Sequence, residues 1–124
     1  EAALEKALDT MRRAQAALDE AGYAEMTLCP ETMGKIGQLG TLEEVLALCS
    51  VDKRVTPCID FGHLNARTLG GIQSKADYAG PEPQPLMELL AERGLAPVLI
   101  CESAGTQAED ARAMQAMYRT ACKT

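Results

Sequence analysis

Apolar residues recur at Leu4, Leu8, Met11 and Leu18 with alanines between them, and Gly22 stands where a helix would stop, so the spacing predicts an amphipathic helix over Glu1 to Ala21. No capping residue precedes it; the chain opens already in helical register, and missing sequence before residue 1 is expected. Met26-Thr27-Leu28-Cys29-Pro30-Glu31 reads as a short buried strand ending in a carboxylate. A glycine-rich loop, Thr32 to Gly40, leads into Thr41-Leu42-Glu43-Glu44, a capping box for a helix that runs through Cys49. Val55-Thr56-Pro57-Cys58-Ile59-Asp60 repeats the apolar pattern and again ends in a carboxylate, although Pro57 removes one ladder hydrogen bond.

After Phe61-Gly62-His63 the chain becomes polar and Gly-rich as far as Pro85, without periodicity. Pro85 opens a helix carrying Leu86, Leu89 and Leu90, which Gly94 ends, and Pro97-Val98-Leu99-Ile100-Cys101-Glu102 is a third apolar strand ending in a carboxylate. A second capping box, Thr106-Gln107-Ala108-Glu109, starts a helix to about Cys122 with Met114, Met117, Tyr118 and Ala121 on its apolar side. Helices alternating with short apolar strands predict an α/β class with parallel strands covered on both faces.

A chain of 124 residues, 47% hydrophobic and 24% charged, is bounded to one domain. Only 3% is aromatic, with Phe61 the single Phe and no Trp, so the core must be aliphatic, filled by Ala, Leu, Cys and methionines such as Met11, Met26, Met87, Met114 and Met117. No apolar run reaches the roughly 18 residues of a membrane helix, and the opening residues lack the order of a signal peptide; a cytoplasmic protein with no membrane partner is expected. The five cysteines stand singly in apolar segments, which predicts reduced thiols, with Cys29, Cys58 and Cys101 as packing residues. The net charge of -6 argues against a broad basic footprint for nucleic acid, which a local basic patch or a bound metal would override.

Glu31, Asp60 and Glu102 each close a predicted parallel strand, and His63, the single histidine, lies three residues beyond Asp60. Parallel strands deliver their last residues to one sheet edge, where α/β proteins bind ligands. Converging carboxylates repel unless a cation neutralises them, and a carboxylate shell with one imidazole suits Zn²⁺ or Mn²⁺. The bland alternatives are that each acid caps the following helix and that the histidine is a loop hydrogen-bonder. The loop from Gly34 to Gly40, with Lys35 inside it, is open to two readings, a phosphate cradle or a flexible connector; it matches no phosphate-binding fingerprint, which favours the connector.

Pro30-Glu31-Thr32-Met33-Gly34-Lys35-Ile36-Gly37-Gln38-Leu39-Gly40-Thr41, a capped helix, and then Cys58-Ile59-Asp60-Phe61-Gly62-His63 resemble the central part of the endonuclease IV family of apurinic/apyrimidinic endonucleases. Those are TIM barrels of the xylose-isomerase-like superfamily. The resemblance implies that Glu31 ends the fourth barrel strand, Asp60 and His63 follow the fifth, and Glu102 ends the eighth. Glu31 and Glu102 would then bridge metals as catalytic ligands, with Asp60 and His63 completing the shells of a divalent cluster, zinc above all, that activates water for phosphodiester cleavage at abasic sites in DNA repair. Such a barrel needs about 250 residues. The resemblance therefore implies an incomplete TIM (β/α)8 barrel, a central segment over 1–79 and a C-terminal segment over 80–124, with missing sequence at the Ala79-Gly80 join. The partner would be DNA. The alternatives are a sugar isomerase or epimerase of that superfamily, acting on a small sugar around one Mn²⁺, or a non-catalytic fragment. Three strands cannot close a barrel, so either a longer native chain or a homo-oligomer is expected.

Overall fold

The leading amphipathic stretch forms α1 (Ala2–Glu20), and the capping box of Thr41 starts α2 (Leu42–Cys49). These elements belong to a computed structural model that describes residues 2–68, 82–102 and 105–123; the Ala79-Gly80 join lies outside them. The chain divides into two compact units, Glu1–Pro81 and Glu82–Thr124. The first also holds α3 (Phe61–Thr68); the second holds α4 (Gln84–Glu92) and α5 (Gln107–Ala121).

In the first unit α1 packs against α2. Leu4, Leu8, Met11 and Leu18 lie on its less exposed side, and the most buried residue on α1 is a polar one, Gln15, at 4% exposure. The last turn of α1 carries no basic residue and ends in Asp19 and Glu20, an unfavourable match to the negative end of the helix dipole. Arg54 compensates. Its guanidinium donates to both carboxylate oxygens of Asp19, to the Ala24 carbonyl at 3.0 Å and to Asp52 at 2.9 and 3.0 Å. The Arg54 bonds hold the Asp52 carboxyl down to about 2. They thereby pin the end of α1 to the segment that precedes Val55.

The capping box at α2 is complete. Thr41 is extended (φ -66°, ψ 162°), its Oγ1 accepts from the Glu44 N–H at 3.2 Å, and Glu44 Oε2 accepts from the N–H groups of Gly40 at 2.8 Å and Thr41 at 2.9 Å. These N–H donors, Gly40 first, hold the Glu44 carboxyl below the usual carboxylate range. A lowered folded-state value means that Glu44 stabilises the fold above the ordinary range and loses that contribution as pH falls through the lowered value. Glu44→Gln is therefore expected to flatten the acid limb of a stability-versus-pH curve measured by urea unfolding; parallel acid limbs for the two proteins would disprove the assignment.

The expected α/β class, with parallel strands and an incomplete TIM barrel, is overturned: the chain is helical, and no sheet forms among the described residues. What remains of the first two strands is a pair of isolated parallel bridges, Leu28 with Val55 and Glu31 with Cys58. The Leu28 N–H donates to the Arg54 carbonyl, Thr56 to Leu28, Cys58 to Pro30 and Thr32 to Cys58, at 2.9 to 3.2 Å. The rung missing from this slanted ladder is the one that residue 30 would donate to Thr56, and proline has no N–H. Pro30, rather than Pro57, thus splits the pairing. The nitrogen of Pro57 faces the other edge, because alternate residues of a parallel strand turn their N–H groups to opposite sides.

In the second unit α4 packs on α5 over Met87, which is fully buried. Pro85 sits in the first turn of α4, and Gly94 (φ 63°) follows its end, as the sequence predicts. Met114, Met117, Tyr118 and Ala121 are the half-buried side of α5. The second capping box does not form: ψ of Thr106 is 21° rather than extended, and its hydroxyl donates to Asp110 Oδ2 at 2.8 Å instead of accepting a backbone N–H. Residues 97–102 make no strand, since no described residue of their unit pairs with them. Val98 and Ile100 are 89% and 78% exposed. The apolar strands therefore do not bury their thiols as expected; Cys29 is exposed, and Cys58 and Cys101 are half-buried. No helix among the described residues is long and apolar enough to cross a membrane.

Candidate metal centre

Three of the four predicted ligands meet at the end of the paired segment. Glu31 follows Pro30, Asp60 follows Ile59, and His63 enters from the first turn of α3; one donor atom from each lies within 4.8 Å of the other two. His63 Nδ1 is 3.4 Å from Glu31 Oε1 and 3.3 Å from Asp60 Oδ2, and its ring is also 2.9 Å from the Thr32 carbonyl oxygen. The side chains of His63, Asp60 and Glu31 are 15%, 29% and 49% exposed, so the cluster grades from protein to solvent. Glu102 is exposed and belongs to the second unit. The sheet edge that was expected to gather it with the other carboxylates is absent among the described residues, where residues 97–102 pair with no partner strand.

The Asp-x-x-His spacing has a helical cause. Asp60 caps α3: Oδ1 accepts from the His63 N–H at 2.7 Å, and the Asp60 carbonyl accepts from Leu64 at 3.1 Å. The cap therefore uses one carboxylate oxygen and leaves Oδ2 turned toward the imidazole. The helix itself lies where the sequence predicts a polar, unpatterned stretch, since Leu64 and Ala66 are its only aliphatic residues and the aromatic Phe61 stands at its start. Ala66 is fully buried and fixes the face that α3 turns inward.

Sequence reasoning missed two residues that build this corner. Thr32, fully buried, accepts from the Asp60 N–H through Oγ1 at 2.8 Å, donates to the Asp60 carbonyl at 3.2 Å, and lends its own carbonyl to His63. Arg67, one helical turn after His63, sends its guanidinium into the glycine-rich loop. Nη1 donates to the carbonyls of Met33 at 2.9 Å and Lys35 at 2.8 Å, and Nη2 donates to Gln38 at 3.2 Å. The loop is thus neither a free connector nor a phosphate cradle; its carbonyls converge on a cation, the reverse of the N–H lining that a phosphate needs. The i, i+4 spacing of His63 and Arg67 was the available signal, and it is visible only once α3 is known to be a helix.

No family model matches the chain, and no solved structure matches it. Among curated proteins it is 45% identical over 53 residues to the uncharacterized protein MJ0133 of Methanocaldococcus jannaschii. The aligned part is 43% of this chain and 19% of that relative, so the chain spans under a fifth of the protein it matches. These findings overturn the endonuclease IV resemblance as a family assignment. It rested on the motifs Pro30 to Thr41 and Cys58 to His63, and the barrel strands that it implied do not form among the described residues.

Proposed function

We propose that Glu31, Asp60 and His63 bind one divalent cation, Zn²⁺ or Mn²⁺, and that the protein is a metal-dependent hydrolase of phosphodiesters. The carrying observation is the spacing of the donors. Tetrahedral ligands at about 2.0 Å from an ion stand about 3.3 Å apart, and the contacts of His63 Nδ1 to the two carboxylates are 3.3 and 3.4 Å. Two oxygens and one nitrogen from three directions, with Glu31 open to solvent, suit a site that keeps a position for water. A bound ion would supply Lewis acidity and lower the pKa of that water. Asp60 and His63, held by the start of α3, would fix the inner side, and the exposed Glu31 would face the incoming substrate.

The net charge of -6 weighs toward a short phosphodiester over a long DNA duplex. It is equally compatible with isomerisation of a small neutral sugar, which stands as the second reading. Calorimetric titration with Zn²⁺ and Mn²⁺, followed by assays of the loaded protein on bis(p-nitrophenyl) phosphate and on aldoses, separates the readings. Saturable binding with phosphodiester turnover is expected. Binding with only aldose turnover would select the isomerase, and no saturable binding below about 1 mM would remove both.

A further inference from the structure

We propose that Thr32 is the positioning residue of this site, acting by substituting its hydroxyl for its own carbonyl in the backbone pairing. The inference rests on the metal-site reading for its affinity arm, and its structural arm stands apart from it. The slanted ladder that runs from Leu28 through Pro30 to Thr32 would continue with the Asp60 N–H donating to the Thr32 carbonyl. That rung is not made. The Asp60 N–H goes instead to Thr32 Oγ1 at 2.8 Å, and the same hydroxyl returns a hydrogen bond to the Asp60 carbonyl at 3.2 Å. The Thr32 carbonyl, released from the ladder, stands 2.9 Å from His63 Nδ1.

The consequences are geometric. A side chain that is fully buried and bonded at both ends of Asp60 holds the backbone of one candidate ligand, while the adjacent carbonyl orients the ring of another. A carbonyl oxygen can only accept, so at this distance it calls for a hydrogen on Nδ1. The ring is thereby held against Glu31 and Asp60 before any ion arrives. An ion on Nδ1 must first displace the hydrogen that this bond holds there, so the Thr32 carbonyl competes with the ion for the same atom. Valine at this position keeps the shape but has no hydroxyl; the Asp60 N–H would then take the main-chain carbonyl and compete with His63 for it. Serine keeps the hydroxyl.

The experiment compares wild type, Thr32→Val and Thr32→Ser at one fixed pH. Because His63 is the single histidine, long-range ¹H–¹⁵N correlation of the imidazole reports its tautomer without assignment. The metal-free wild type is expected to show the Nδ1–H form, Thr32→Ser to retain it, and Thr32→Val to lose it. Calorimetry with Zn²⁺ is expected to give an affinity about tenfold higher for Thr32→Val, in which the competing bond to Nδ1 is weakened, and within a factor of about three of wild type for Thr32→Ser. A wild-type imidazole dominated by the Nε2–H form overturns the positioning role even if Thr32→Val does not fold. A folded Thr32→Val with unchanged tautomer overturns it as well. If the tautomer pattern holds while the wild type fails to bind Zn²⁺ or Mn²⁺, the metal-site reading falls and the positioning of His63 by Thr32 stands. If the tautomer pattern holds while both variants bind as tightly as wild type, Thr32 does not position the site for the ion.

Discussion

Gly40→Ala is expected to destabilise the first unit by about 2–3 kcal/mol, the largest loss from removing no functional group. Gly40 has φ 138°, a conformation that L side chains rarely adopt, and an added Cβ would lie 2.4 Å from the Met33 Cβ and 2.6 Å from the Met33 nitrogen. Relief by movement is blocked on both sides. The Met33 N–H donates to the Gly40 carbonyl at 2.9 Å, and the Gly40 N–H donates to Glu44 at 2.8 Å. Gly22 supplies the control: it too has a positive φ, 82°, but nothing lies within 4 Å of its Cβ position. Gly22→Ala should therefore cost only the backbone term, about 1 kcal/mol. Urea unfolding of the two variants tests the contrast, and equal losses would show that the closure of the loop by Gly40 contributes nothing.

The second large effect concerns the ligands. His63→Ala is expected to weaken Zn²⁺ binding by at least about 100-fold, more than the loss of a supporting bond costs. Mn²⁺ should suffer less, because it prefers oxygen donors and keeps both carboxylates. Asp60 allows a cleaner separation of folding from binding. Asparagine is as good a helix cap as aspartate, so Asp60→Asn should keep the bond from Oδ1 to the His63 N–H and leave stability nearly unchanged. It removes the charge of the ligand, and Zn²⁺ affinity should fall at least about tenfold. Calorimetry beside urea unfolding reads both quantities. Tight Zn²⁺ binding that survives both substitutions would place the ion elsewhere.

The cluster has a competing occupant that shapes how these results are read. In the structure the His63 ring already bonds the Thr32 carbonyl and sits beside two carboxylates, so an Nδ1–H hydrogen serves where an ion would. An ion on Nδ1 must displace that hydrogen and swing the ring off the carbonyl. Binding therefore carries a rearrangement cost, which the Thr32 carbonyl sets.

What the sequence alone determined is what closes locally. The stripe of Leu4, Leu8, Met11 and Leu18 made α1, Thr41 and Glu44 made the cap of α2, and Pro85 and Gly94 bounded α4, because each signal acts within a few residues of itself. It also put Asp60 and His63 three residues apart, although the reason assigned was a strand end and the structure supplies a capped helix. The tertiary structure decided everything that needs a distant partner. An apolar run becomes a strand only when a neighbour accepts and donates along its length. Residues 97–102 find none among the described residues of their unit, and Pro30 cannot donate the rung that would join the two bridges. Thr41 and Thr106 both precede a Glu by three residues, yet only Thr41 is held extended by the chain around it; Thr106 turns its hydroxyl to Asp110 instead. The roles of Thr32 and Arg67 were illegible for the same reason. Their partners lie about thirty residues away, and no local pattern of apolar and polar positions records a hydrogen bond across that distance.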